Sequence, residues 1–476
     1  MSFHSLDYLL FLPAAVTAFF LTPHRWRWIV LLAASLIFYA SWRIEFLSLL
    51  LLTTFVDYSV ALIFPRLRGW ARHALMVLSL AGNLGLLIAF KFFTDTAQFW
   101  FDYATGANSA SWSMMFLLPL GISFYTFQSL SYTIDVYRGK RQPEPHLGHF
   151  AVYVMYFPQL IAGPIERHGT LMPQLKREQH WDMTRAAAGC ALFLIGLFKK
   201  LVIADGLAPW LGAQIAQGET HSALQLLSIS VATLYRYYCD LSGYADMAIG
   251  SALIMGVKLT QNFRRPFAAK SVTAFWQRWH TTVTNWFRDY FYIPFVQKMP
   301  DIKGKRFLGI MVTMILVGVW HGGTYNWLLV GVISGVLITI SNNGRKWVIA
   351  NTAYGPRLRR ALDGADRALV WLTIPVVGAL IAFPDFDTAL SVIARLPLAP
   401  FDLATPAARG LLQFPLHLMA AIVALEAYQW LDVRQPVHDR VVAGGRRIAW
   451  SFYILLIASI IVLGTYDNPD FLYFEF

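Results

Sequence analysis

The chain of 476 residues is 57% hydrophobic and only 14% charged, with a mean hydropathy of +0.49 and a formal net charge of +12. Soluble domains carry about a quarter charged residues, so this composition excludes a soluble enzyme or binding module and puts the chain in lipid. The cations fall in short loops between apolar runs, which argues against nucleic acid, and the two cysteines, Cys190 and Cys239, sit in apolar surroundings that indicate no disulfide framework.

In chain order, apolar runs near the roughly 20 residues that a bilayer core requires predict spans at 6–22, 27–42, 45–64, 74–93, 113–133, 187–204, 222–238, 306–322, 324–343, 366–385, 410–430 and 446–464. Shorter runs at 148–163 and 244–258, broken by Gly or Pro, are expected to be re-entrant. The first run does not read as a cleavable signal peptide, because Met1 to Leu6 carries no Lys or Arg and no cleavage pattern stands out. With no soluble domain and no long linker, residues 1–476 read as one integral-membrane domain. The expected fold class is an all-α polytopic membrane protein of about 11–12 transmembrane helices with re-entrant or interfacial helices.

Basic loops stay on the cytoplasmic side. Arg66, Arg68, Arg72 and His73 form one cluster, and Arg138, Lys140 and Arg141 a second. Arg345, Lys346, Arg357, Arg359, Arg360 and Arg367 form a third, and Arg434, Arg440, Arg446 and Arg447 a fourth. Stretches 92–137, 201–235, 322–344 and 448–476 hold no Lys or Arg. Clusters inside and gaps outside give one alternation, with both termini outside; 148–186 stays unassigned.

Ionisable groups within apolar sequence are costly and are read first as functional. The densest case is "NFRRPFAAKSVTAFWQRWHTTVTNWFRDYFYIP", Asn262 to Pro294, with Arg264, Arg265, Lys270, Arg278 and His280 among aromatics. It reads either as an amphipathic helix lying in the headgroup layer or as the entrance for an anionic, phosphate-bearing substrate. In "ILVGVWHGGTYNW", His321 sits among apolar residues beside two glycines, where a neutral imidazole can act as a base. His417 in "FPLHLMA" reads as an ordinary core histidine. Further polar oddities are "YCDLSGYADMAIG" with Asp240 and Asp246, "FKKLVIAD" with Lys199, Lys200 and Asp205, and "LIAGPIER" with Glu166 and Arg167. The chain ends on "FLYFEF", residues 471–476, where Tyr473 reads either as an interfacial anchor or as a reactive phenol. No Walker loop, dinucleotide glycine motif, cysteine metal cluster or nucleophile elbow appears.

These motifs together resemble the membrane-bound O-acyltransferase (MBOAT) family, in its bacterial alginate O-acetyltransferase-like branch. The resemblance rests on "LPLGISFYTFQSLSYTIDVYRG" (118–139), "YFPQLIAGPIER" (156–167), "LFKKLVIAD" (197–205), "DLSGYADMAIG" (240–250), "NFRRPF" with "FWQRWHTTVTNWFRDYFYIP" (262–294), "GVWHG" (318–322) and the tail. It implies tilted helices around a central tunnel, with His321 as the family's catalytic histidine and His280 as the branch's second histidine, holding a carbonyl oxygen or orienting His321. It implies a cytosolic thioester donor, acetyl-CoA, no metal, and a glycan acceptor outside the cell. By analogy with the teichoic-acid D-alanylation system, whose separate small protein carries an aromatic C-terminal tyrosine, "FLYFEF" looks like the same motif fused, with Tyr473 as acyl carrier.

A covalent relay moves only the small acyl group across the membrane. Tyrosine suits it: about 0.1% is phenolate at pH 7, so a base is needed, and a phenyl ester loses little transfer potential relative to a thioester. His321 is expected to take the phenol proton, and Arg264, Arg265, Lys270 and Arg278 to meet the donor's phosphates or serve as plain positive-inside anchors. The resemblance also implies a periplasmic SGNH-type, esterase-like transferase, a polysaccharide export or synthase complex and the bacterial inner membrane. Direct transfer with Tyr473 as an anchor is the rival within this class. A transporter or flippase for an acylated or lipid-linked glycan is the rival outside it, although the halves show no internal repeat.

Overall fold

Helix is the form in which a single segment satisfies its whole backbone in lipid, and the apolar runs take it. A computed structural model describes residues 1–92, 119–217, 221–351, 355–402, 414–432, 437–466 and Leu472. Every regular element among these residues is helical. They fall into two units, Met1–Phe193 with Ala245–Thr260, and Leu194–Tyr244 with Gln261–Phe476.

The first unit contains α1 (Leu6–Leu21), α2 (Arg27–Ala40), α3 (Glu45–Ile63), α4 (Gly69–Phe92), α5 (Ile122–Tyr137), α6 (Leu147–Met155), α7 (His168–Lys176) and most of α8 (Met183–Leu197). Its core is α5, buried along nearly its whole length although its sequence is rich in Ser and Thr. Two of those hydroxyls are satisfied within the helix: Ser131 and Thr133 donate to carbonyls one turn back, at 2.7 and 3.1 Å. Ser129 instead donates to Asp57 of α3, which also accepts from Asn83 of α4 at 2.9 Å. A fully buried carboxylate thus ties three helices together. After α6 the chain leaves the helix over Tyr156–Gly163 yet stays buried, as expected for a broken run. Glu166, just beyond it, accepts from the Thr260 N–H, and burial raises its carboxyl above the usual range.

The second unit contains the end of α8, a π-helical stretch Phe198–Ala204, α9 (Asp205–Ala216) and α10 (Ala223–Ile254) as far as Tyr244. It continues with α11 (Val272–Trp276), α12 (Thr281–Phe287), α13 (Ile293–Lys298), α14 (Lys305–His321) and α15 (Tyr325–Asn351). It closes with α16 (Pro356–Ala382), α17 (Phe386–Arg395), α18 (Leu416–Asp432), α19 (Val437–Ala443) and α20 (Arg446–Leu463).

Among the described residues, six helices are long and apolar enough to cross a membrane: Glu45–Arg66, Gly69–Phe92, Met183–Ala216, Tyr325–Asn351, Pro356–Ala382 and Arg446–Leu463. Several others expected as spans are shorter. The 16 residues of α1 rise about 24 Å, less than the roughly 30 Å of a bilayer core.

Two expectations change. The runs 222–238 and 244–258 are not a span plus a re-entrant segment but one helix, α10, of 32 residues. Its glycines are contact points rather than breaks. A side chain on Gly250 would meet the Gly189 carbonyl at 2.6 Å, and one on Gly243 the Gly196 carbonyl at 2.8 Å, the small-residue packing common between lipid-embedded helices. The segment 262–294 is not one interfacial helix either. It breaks into α11, α12 and α13, with Trp276, Trp279, His280 and Trp286 buried. His417, expected in the core, is exposed near the start of α18.

Candidate active site

The site forms where α14 turns into α15. Gly318 and Gly331 let the two helices meet backbone to backbone, since a side chain on either would strike a carbonyl of the other helix. That contact fixes His321, the last residue of α14 and 5% exposed, against Trp327, with ring centroids 5.0 Å apart and planes at 16°. Gly322 leaves the space that the Trp327 indole occupies. Trp320 closes the other side, with its ring at 4.7 Å and 69° from His321.

The second histidine arrives from α12. His280 is 3% exposed and stands 6.5 Å from His321, centroid to centroid, at 86°. Imidazole nitrogens lie near the ring edge, so the closest nitrogens are roughly 4 Å apart or more, beyond direct hydrogen bonding. His280 occupies the left-handed region, φ 47° and ψ 54°, which costs a non-glycine residue about 1–3 kcal/mol. Asn262, 1% exposed, supplies the restraint. Its carbonyl accepts the Thr281 N–H at 2.8 Å, and its Oδ1 accepts the Thr282 N–H at 3.2 Å and hydroxyl at 3.0 Å. Burial pushes the His280 imidazole down to about 3, so it is neutral at physiological pH.

His321 also lines a cavity of about 30 Å³ walled by Tyr237 of α10, Phe275 and Trp276 of α11, Trp279, Trp327, and Val330. That is space for about one water. The walls are almost wholly hydrocarbon and aromatic face, suited to an acyl chain rather than a sugar.

Of the expected phosphate contacts, Arg264 and Lys270 are exposed and Arg265 and Arg278 half-buried. The Arg264 N–H donates to the Arg278 carbonyl at 2.9 Å, bringing these two residues side by side. Arg265 takes the left-handed backbone, φ 50°, at the turn between them. Among the described residues no three His, Cys, Asp or Glu side chains gather as metal ligands. Tyr473 lies outside the described residues. Its neighbour Leu472 is described and buried, and its N–H donates to Asp240 Oδ2 at 2.9 Å.

Sequence reasoning took both histidines from their motifs but missed the walls. Trp327 lies within the same quoted stretch as His321, six positions on, and Phe275, Trp276 and Trp279 share the quoted basic-aromatic segment. Their signal was present but hidden in a chain that is 15% aromatic. Asn262 carried no signal beyond opening that segment.

A helical protein with membrane-length spans, and a buried histidine lining a small apolar, aromatic cavity with a second histidine 6.5 Å away, has the form of a lipid-embedded group-transfer enzyme. Residues 141–377 match the membrane-bound O-acyltransferase family, MBOAT. The chain is 32% identical over 512 residues to the "Probable alginate O-acetylase AlgI" of Azotobacter vinelandii, covering 98% of each chain. It is 36% identical over 361 residues to the protein of the same name from Pseudomonas aeruginosa, covering 71% of this chain and 68% of that one. It is 32% identical over 378 residues to the "Peptidoglycan O-acetyltransferase" of Helicobacter pylori, covering 72% and 68%. The chain belongs to the membrane-bound O-acyltransferase family. It is a multi-pass membrane O-acyltransferase, and the reading as a transporter or flippase falls.

Proposed function

We propose that this enzyme, in the bacterial inner membrane with both termini periplasmic, moves acetyl groups from cytosolic acetyl-CoA to an exported polysaccharide by way of Tyr473. His321 takes the phenol proton as the Tyr473 oxygen attacks the thioester carbonyl. The C–S bond breaks, and the proton passes from the imidazolium to the departing thiolate, leaving CoA-SH and acetyl-Tyr473. Neutral His280 lies across from His321 and serves to hold the carbonyl oxygen or, through the shared Trp320 ring, to orient His321. Arg264, Arg265, Lys270 and Arg278 hold the donor's phosphates through charge-assisted bonds. The acetyl ester then passes to the serine of a periplasmic SGNH-type partner, which delivers it to a glycan of the kind that the relatives' names describe, alginate or peptidoglycan.

The observation that carries this reading is the placement of Leu472. The residue immediately before Tyr473 bonds to Asp240, and Asp240 is three positions beyond Tyr237, a wall of the His321 cavity. Three positions along a helix is about one turn, a rise of about 4.5 Å on the same face. The test is intact-mass analysis after incubation with isotope-labelled acetyl-CoA. One acetyl on Tyr473, absent from Tyr473→Phe and His321→Ala, is the expected result. An unlabelled tail alongside full glycan acetylation overturns the relay and leaves direct transfer.

A further inference from the structure

The motifs "FKKLVIAD" and "DLSGYADM" supply buried charged side chains that the chemistry above does not use, and three of them, Lys200, Asp205 and Asp240, meet. Lys200, on the π-helical stretch, places its Nζ 2.7 Å from Asp240 Oδ1 and 2.9 Å from Asp205 Oδ1, and these side chains are at most 2% exposed. A buried ion pair is a poor source of stability, because desolvation offsets the attraction, so its presence asks for another role. Asp240 divides its oxygens: Oδ1 faces Lys200, and Oδ2 accepts the N–H of Leu472, 232 positions later in the chain. The tail is held at a second point on the same stretch, where the Thr465 N–H donates to the Leu201 carbonyl at 2.9 Å. Asp205 Oδ2 is buried with no hydrogen-bond donor among the described residues.

We propose that Lys200, Asp205 and Asp240 form a seat for the C-terminal segment, in which Asp240 is the positioning residue that holds the acceptor tail beside the His321 cavity. The inference deepens the relay reading and rests on it. The seat recognises backbone rather than side chain: a carboxylate, oriented by Lys200, takes a main-chain N–H and leaves the neighbouring side chains to the chemistry. The π-helical stretch serves the arrangement, since its wider turn brings Lys200 and Asp205, five positions apart, to one centre.

The test uses full-length protein carrying Cys190→Ser and Glu475→Cys, and measures the rate at which a membrane-impermeant maleimide labels the tail in membranes. Leu472→Pro removes the N–H while leaving the buried charges untouched. Labelling is expected to rise about tenfold, the worth of one hydrogen bond to a charged group. Leu472→Ala, which keeps the N–H, is expected to label at the parent rate, and Asp240→Ala to match Leu472→Pro. In the parent sequence, Leu472→Pro is expected to lower kcat for tail acetylation about tenfold with KM for acetyl-CoA unchanged. Equal labelling of the Pro and Ala variants at Leu472 overturns the seat. Faster labelling with undiminished glycan acetylation keeps the seat and overturns the relay instead.

Discussion

His280 and His321 reach the site from separate helices and stand edge to face, 6.5 Å between ring centres, with Trp320 packed against both. The pair is too far apart to share a proton directly. The roles therefore separate. His321 opens onto the cavity, whereas His280 is held neutral by burial, so the proposed mechanism gives the proton transfer to His321 and leaves His280 as a fixed dipole.

Replacing His321 by Ala is expected to lower acyl transfer by about 10²–10⁴-fold, the usual worth of a positioned general base. Transfer from radiolabelled acetyl-CoA in membranes measures it. Thermal unfolding in detergent is the control, since His321 ends its helix and its removal leaves the α14–α15 backbone contact in place.

The depressed His280 sets a pH dependence of stability. The unfolded imidazole titrates near 6.5 and the folded one near 3. Between these values the unfolded state binds the extra proton, so stability is full above pH 6.5 and falls as pH falls. One such group accounts for about 2 kcal/mol between pH 6.5 and 5. His280→Gln, which cannot take the proton, is expected to flatten this slope of the unfolding midpoint. It does not abolish it, because burial also lowers His168, to about 4.

Gly318→Val drives a branched side chain into the Trp327 carbonyl. A destabilisation of about 1–3 kcal/mol is expected from overpacking, together with a larger loss of activity, because Trp327 and His321 are set by the same contact. Comparing the unfolding midpoint with the transfer rate separates the two effects. Gly318→Ala is expected to show both in weaker form.

Trimming Trp276 to Ala opens a wall of the cavity. Each methylene that a pocket accepts or refuses is worth about 10–200-fold in selectivity. The ratio of butyryl to acetyl transfer is therefore expected to rise by at least about tenfold over the parent enzyme. Competition between the two thioesters in one reaction reads it directly.

The sequence made some of this legible and concealed the rest for physical reasons. His321 draws attention as an ionisable group in apolar sequence, but it is the resemblance of its motif, and of the motif that holds His280, to the family that marks the two as site residues. The helical class followed from hydropathy alone. The single long α10 did not, because Gly243 and Gly250 look like interruptions until the helix that fills the gap is known. The basic-aromatic segment looked amphipathic, yet left-handed backbone at Arg265 and His280 breaks it into short helices that turn its aromatics inward. The bond between Asp240 and Leu472 joins positions 232 apart, and no local pattern announces a contact of that range.

A chamber with room for about one water has a consequence for fidelity. In the proposed relay, an acetyl group lodged there would displace the competing nucleophile from the neighbourhood of the imidazole. Hydrolysis of the activated ester would then be held back by lack of room, so a base strong enough to activate a phenol need not squander the donor.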